Sequence, residues 1–283
     1  MPIEDQASKL RRLMQRQSRQ TRTIAVTSGK GGVGKSNVAL NLAILLSAGG
    51  SRVAVVDADM GLANVDVLAD VEVRANLSHV IAGTRRLEEI VLDLPSGVQL
   101  VPGANGLARM AHLSEFQRTQ LIQQLGVLEA DNDVIIIDTA AGIGPDVLQF
   151  ATSADNVLVV TTPEPTAITD AYALAKVLHQ GGYAGHISLL VNLASDRHEA
   201  RTTYQRISGV ARQFIGATLY DGGYMLADPK VREAVRRREP FVLAFPRCPA
   251  SQCLAALATK LSSGGLVIGR EDSFFKRVAN WFA

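Results

Sequence analysis

"TRTIAVTSGKGGVGKS" occupies residues 21–36. An apolar run, "TIAVTS" (23–28), passes into a glycine-rich turn, and the amphipathic "NVALNLAILLSAGG" (37–50) follows. The pattern G-x-x-x-x-G-K-[ST] is met by Gly29, Gly34, Lys35 and Ser36. A strand before the pattern and a helix after it are the context of a phosphate-binding loop. Glycines let backbone N–H groups turn inward around phosphate oxygens, and the helix start adds its positive dipole end. The loop Gly29, Lys30, Gly31, Gly32, Val33 and Gly34, with Lys35, Ser36 and Asn37, is the predicted nucleotide cradle. Lys35 is expected to reach the β- and γ-phosphates, and Ser36 Oγ to ligate Mg²⁺. One lysine suffices for that chemistry, so the second, Lys30, needs a reason of its own.

Working outward, Val- and Ile-rich runs recur at 52–57, 98–102, 133–138, 156–162 and 186–192, with longer amphipathic stretches between them. Continuous apolar strands alternating with helices predict an α/β fold, a mostly parallel sheet covered on both faces. No internal repeat is visible, and a single P-loop NTPase domain is expected over 22–262. The 283 residues are 47% hydrophobic and 20% charged, an ordinary composition for a folded soluble protein. A net charge of +2 argues against a dedicated nucleic-acid binder. The two cysteines, Cys248 and Cys253, have no histidine nearby, which excludes a zinc site or disulfide framework and fits a reducing cytoplasm. The first residues carry no apolar run of the secretory kind, and no stretch approaches the roughly 18 apolar residues of a membrane span. The five histidines show no metal-ligand spacing, and no G-x-S-x-G elbow occurs.

Two strand ends carry carboxylates. "VVDADMGLANVD" ends the second strand with Asp57 and Asp59, which face the same way while the chain stays extended. "VIIIDTAAGIG" ends another with Asp138, and Gly142 follows in a candidate switch loop. Aspartates at strand ends also serve as helix caps.

Both ends of the chain differ from this core. Residues 1–21 form a basic arm. After a linker at 263–270, the segment 271–283 places Phe274, Val278, Trp281 and Phe282 at helical spacing, with Phe275 beside them and Lys276 and Arg277 flanking. Such a stripe suits a helix lying in a membrane surface. It also suits a helix docked on its own core.

"KGGVGKS" resembles the deviant phosphate loop of the MinD/ParA family of ATPases, and the resemblance spans almost the whole chain. It implies ATP/ADP and Mg²⁺ as ligands. It implies that Lys30 reaches across an ATP-dependent homodimer to the partner's nucleotide, where a second cation offsets charge on the transferring phosphoryl group. Asp59 then positions the attacking water, Asp57 supports the Mg²⁺ shell, and Asp138 looks like the Walker-B aspartate. Asn192, at the end of "LLVN", stands where the family reads the adenine edge. Leu226 and Ala227 depart from the family's usual Pro and acidic residue in the next loop.

"DQASKLRRLM" (5–14), with "GLANVDVL", "DTAAGIG" and "EPTAITDAYALAK", is most similar to the FlhG (FleN) branch of that family. The branch implies a regulator of flagellar number or placement. It implies that Gln6 acts on the nucleotide of FlhF, a GTPase of the signal-recognition type, with Leu10 and Leu13 as anchors. The membrane-targeting tail of MinD-type proteins implies Phe274, Phe275, Val278, Trp281 and Phe282 as lipid contacts. The expected location is cytoplasmic and reversibly peripheral on the inner face of the plasma membrane. Flagellar transcription regulators and C-ring components are the further partners implied. The alternatives are a ParA-type partition ATPase, for which "KVREAVRRRE" (230–239) would track DNA phosphates, and a division-site MinD-type regulator.

Overall fold

The computed structural model describes residues 21–59, 64–103, 115–263 and 273–280. Gln6, Leu10, Leu13, Trp281 and Phe282 lie outside the described residues. Eight strands form one sheet: β1 (Arg22–Ser28), β2 (Val53–Ala58), β3 (Leu92–Asp93), β4 (Val98–Val101), β5 (Val134–Ala141), β6 (Asn156–Thr161), β7 (His186–Ala194) and β8 (Tyr220–Leu226). Their order is β3-β4-β2-β5-β1-β6-β7-β8. Every neighbouring pair is parallel except β3 and β4. The first helices are α1 (Lys35–Ala48), α2 (Val65–Leu68), α3 (Leu77–Ile81) and α4 (Glu115–Asp131). They are followed by α5 (Pro145–Ser153), α6 (Pro165–Gln180), α7 (Arg197–Ile215) and α8 (Pro229–Arg237). The last three are α9 (Phe241–Ala244), α10 (Pro249–Ser262) and α11 (Phe274–Asn280).

The apolar runs are continuous because both faces of the sheet are covered. Along β5, Ile135 and Ile137 join the core on one face, while Val134 and Ile136 join the core on the other. β1 and β2 alternate in the same way, through Ala25 and Ala54 on one side and Ile24, Val26, Val53 and Val55 on the other. The sheet thus has no wet face, and period 2 is hidden in the sequence.

Two strands escape the apolar-run criterion. β3 is only two residues long and antiparallel. β8 reads YDGGYML, with two glycines in its middle. A Cβ at Gly222 would stand 3.0 Å from both Leu158 Cδ1 and the Leu189 carbonyl oxygen, so the close approach of β8 to β7 depends on its absence.

In this protomer the tail takes the second of the two readings of its stripe, a helix docked on its own core. Phe274, Phe275 and Val278 are each 1% exposed and belong to the core cluster shared with α4 and α5. Polar contacts hold the helix as well. Glu129 of α4 accepts the Phe275 N–H at 3.1 Å, and Gln149 of α5 donates to the Val278 carbonyl at 3.1 Å. Arg277 pairs with Asp155 at 2.7 Å, and both side chains are largely buried. Burial pushes the Glu129 carboxyl up, partly offset by its hydrogen bonds to Ser273 and the helix amides. An aromatic stripe satisfies lipid and protein alike, so only the presence of a matching groove decides between them. No helix among the described residues is long and apolar enough to cross a membrane.

Candidate nucleotide site

The strand order places the ends of β1, β2 and β5 together, where ligands bind in open parallel sheets. At the end of β1, Ser28 Oγ donates to the Lys30 carbonyl at 2.7 Å and turns the chain into the loop. Gly32 and Gly34 adopt φ of 77° and 92°, a region that side-chain-bearing residues avoid. Gly34 is the N-cap of α1, with no side-chain cap and no acidic residue in the first turn. The first-turn amides are therefore left for an anion. Lys35, in that turn, is 8% exposed.

Two contacts brace the loop from outside it. A Cβ at Gly29 would collide with the Asp170 carbonyl of α6. Asn192 at the end of β7 donates its amide to the Val33 carbonyl at 2.8 Å and accepts the Leu193 N–H at 2.8 Å. A Cβ at Gly34 would stand 2.6 Å from Asn192 Nδ2. Asn192, expected at the base edge, is thus buried against the phosphate loop and supports it.

The three aspartates are placed differently from one another. Asp57 and Asp138 are register partners on β2 and β5. Asp57 accepts backbone N–H groups from Asp59 at 3.1 Å, Asn64 at 3.2 Å and Val65 at 3.4 Å. Its carboxylate ties down the segment that carries Asp59. Asp138 is fully buried, and neither of its oxygens has a hydrogen-bond partner among the described residues. Burial pushes Asp138 up to about 7; the Ser36 hydroxyl and Lys35 ammonium offset part of this, while the Asp57 charge adds to it. Burial likewise pushes Asp57 up to about 6, against the backbone N–H groups that it accepts.

An orphaned buried carboxylate beside a serine hydroxyl fits a hard cation shared with phosphates. Asp138 and Ser36 would hold Mg²⁺, which supplies charge neutralisation at the phosphates when bound. Lys30 lies at the rim, its ammonium 2.6 Å from Glu164 Oε2 and 3.0 Å from Thr166 Oγ1.

The AAA domain family matches residues 21–181. The chain is 43% identical over 240 residues to the antiactivator FleN of Pseudomonas aeruginosa, covering 85% of this chain and 86% of that protein. It is 38% identical over 269 residues to the flagellum site-determining protein YlxH of Helicobacter pylori, covering 92% and 90%. The solved structure of the septum site-determining protein MinD with Mg-ADP from Pyrococcus horikoshii superposes with a TM-score of 0.70 at 25% identity, covering 87% of this chain and 97% of that one.

The chain belongs to the FleN/YlxH branch of the MinD/ParA ATPases. It is a P-loop ATPase, and its fold and nucleotide binding follow from that membership. Lys30 pairs with Glu164 at the start of α6. The pair is 38% and 63% exposed, so releasing it costs only about 0–1 kcal/mol. The contact is compatible with a lysine that changes partners.

Several residues that shape this MinD-type site carry no local sequence signal. Glu164 and Thr166 hold Lys30. Asp170 forces glycine at position 29. A Cβ at Gly103 would collide with the Asp57 carbonyl, so Gly103 lets the chain after β4 pass the carboxylate strand. Only the "EPTAITD" stretch, which resembles the branch as a block, hints at any of them.

The two raised carboxyls give a pH dependence. Their folded values lie above the usual 3.8, so the folded state holds protons more tightly than the unfolded chain. That contribution is fully present below about pH 4 and is lost as pH rises through about 6 and 7. Nucleotide-free protein is expected to melt at a higher temperature at pH 5.5 than at pH 8. In Asp138→Asn the slope between those values should flatten. An unchanged slope would contradict the assignment of the proton to this pair.

Proposed function

We propose that this ATPase is an ATP-switched regulator of flagellar number or placement. Its nucleotide-bound form is a homodimer on the inner membrane surface, and its arm stimulates the GTPase FlhF. The observation that carries the switch is the orphaned Asp138 carboxylate beside an uncapped, glycine-led helix start. Likeness to FleN and YlxH supports the flagellar setting. Face-to-face dimerisation would bring Lys30 to the partner's nucleotide and release Glu164. Asp59 would then position water for hydrolysis. Paired tails, each freed from its groove, would multiply weak membrane contacts by avidity. A transcription regulator or C-ring component is the natural further partner of such a switch.

Gel filtration with ATP and Mg²⁺ against ADP, with and without anionic vesicles, tests this reading. Lys30→Ala should bind ATP yet elute as a monomer, and an ATP-dependent dimer of that variant would sink the trans-lysine role. Deleting 272–283 should abolish vesicle co-sedimentation while sparing nucleotide binding. For the arm, a peptide covering residues 1–22 should raise FlhF turnover, and Gln6→Ala should remove most of that stimulation. Equal stimulation by both peptides would exclude a catalytic part for Gln6.

The DNA-tracking alternative is weakened by pairing within the basic tract. Lys230 and Arg237 are both tied to Glu233, and Arg238 to Asp70. Three of its five cations are thus partly neutralised in place.

A further inference from the structure

We propose that Leu193 is the nucleobase platform of the nucleotide site, an apolar shelf on which the purine of the bound nucleotide rests. This role needs nucleotide binding only, and neither the dimer nor the flagellar setting. Leu193 is the last residue but one of β7. Among the described residues it shares a positive φ, 57° in its case, only with Asp70, Arg238 and glycines. A leucine in that left-handed region is uncommon. It is also 42% exposed, although residues 187–192 of the same strand are buried.

The strand is bent to produce this. Val191 pairs with Tyr224 and Ala194 with Leu226, so β7 spends three steps where β8 spends two. A bulge of one residue re-aims a side chain, and bulges gather beside active sites. Asn192 fixes the bend. Its Oδ1 accepts the Leu193 N–H at 2.8 Å while its Nδ2 donates to the Val33 carbonyl at 2.8 Å. On the far side the Ala227 N–H donates to the Ala194 carbonyl at 2.8 Å. An aliphatic side chain turned into solvent by a strained backbone gains nothing from its own fold, which points to a ligand that covers it.

The sheet order indicates which part of the ligand that is. Asp57 and Asp138 end β2 and β5 on one side of β1, and β7 lies on the other side beyond β6. With terminal phosphates and Mg²⁺ at Ser36 and Asp138, the side toward β7 is left for the nucleoside. The shelf adjoins the cradle, since a Cβ at Gly34 would stand 2.6 Å from Asn192 Nδ2. The neighbouring strand end adds half-buried Leu226 and exposed Ala227. Polar side chains there are committed elsewhere. Asp228 accepts the Lys230 and Ala250 N–H groups at 2.9 and 3.3 Å, and Ser195 donates its hydroxyl to Glu199 at 2.8 Å. These strand ends therefore offer aliphatic surface, which suits the flat face of a base and neither a sugar nor an ion.

The test is isothermal titration of the full chain with Mg²⁺ and ADP, GDP or pyrophosphate; the diphosphates keep ATP-dependent dimerisation out of the measurement. Leu193→Gly should weaken ADP about three- to tenfold, what covering roughly half of a leucine side chain is worth. GDP should lose the same factor, because a shelf reads area and not the base edge, and pyrophosphate should bind as before. Nucleotide-free Leu193→Gly should melt close to the wild type, since glycine adopts this φ freely. Leu193→Asn, which tolerates the same backbone but is polar, should lose ADP affinity similarly, and Leu193→Met should retain most of it. Unchanged ADP affinity in both the glycine and the asparagine variants overturns the proposal. So does an equal loss for pyrophosphate, which would act through the phosphate loop, or a loss for ADP without one for GDP, which would mean that the base edge is read. A loss in Leu193→Met as large as in Leu193→Asn would reduce the position to packing and overturn it too.

Discussion

Lys35→Ala is expected to weaken ATP binding by at least about a hundredfold, two charge-assisted hydrogen bonds at roughly 1.5–3 kcal/mol each being lost. The reasoning starts from position. Lys35 opens α1 directly after Gly34 and is almost fully buried. A buried ammonium at an uncapped helix start has one fitting ligand chemistry, an anion held by loop amides. The alanine variant keeps those amides and the glycine geometry, so residual binding should persist. Asp59→Ala should behave in the opposite way. It leaves the phosphate cradle intact and removes the carboxylate proposed to position water, so ATP binding stays and the dimer accumulates. Isothermal titration with ATP, paired with gel filtration, separates the two. Near-normal affinity in Lys35→Ala would overturn the assignment of the phosphate lysine.

Arg277→Ala is expected to destabilise the protein by about 3–5 kcal/mol, because it strands a buried carboxylate. Asp155 is 2% exposed and accepts the Thr23 N–H and hydroxyl, both at 2.8 Å, besides the Arg277 ion pair. Arg277 also donates from Nε to the Ser153 carbonyl at 2.6 Å. Removing the arginine alone leaves the carboxylate with neutral donors only. Arg277→Ala combined with Asp155→Asn should recover part of the loss, since no buried charge remains. Phe275→Ala should cost a similar about 3–5 kcal/mol through the cavity that it leaves. Chemical denaturation of the single and double variants measures the coupling. Additive losses from Arg277→Ala and Asp155→Asn would mean that the pair does not latch the tail. The same variants separate a stowed tail from a purely structural one. A stowed tail, once loosened, should bind anionic vesicles without ATP.

The sequence by itself determined the local pieces. The glycines at 29 and 34, the lysine and serine that follow, and the apolar strand before them specify a phosphate loop. Each feature is dictated by short-range sterics and by the helix that begins there. The Val- and Ile-rich runs determined a sheet buried on both faces, and the aspartates at their ends marked the edge where the site lies. What only the tertiary structure decided was pairing across the chain. Lys30 meets Glu164 across 134 residues, Asn192 braces Val33 across 159, and Arg277 reaches Asp155 across 122. None of these has a periodicity or spacing to read, because each depends on which strands become neighbours. β8 was illegible because its glycines replace the apolar side chains that mark a strand. The fate of the aromatic tail was undecided for the same physical reason. Burial of Phe274, Phe275 and Val278 is favourable in any apolar surrounding, and the groove that takes them is built by α4 and α5, elements far upstream.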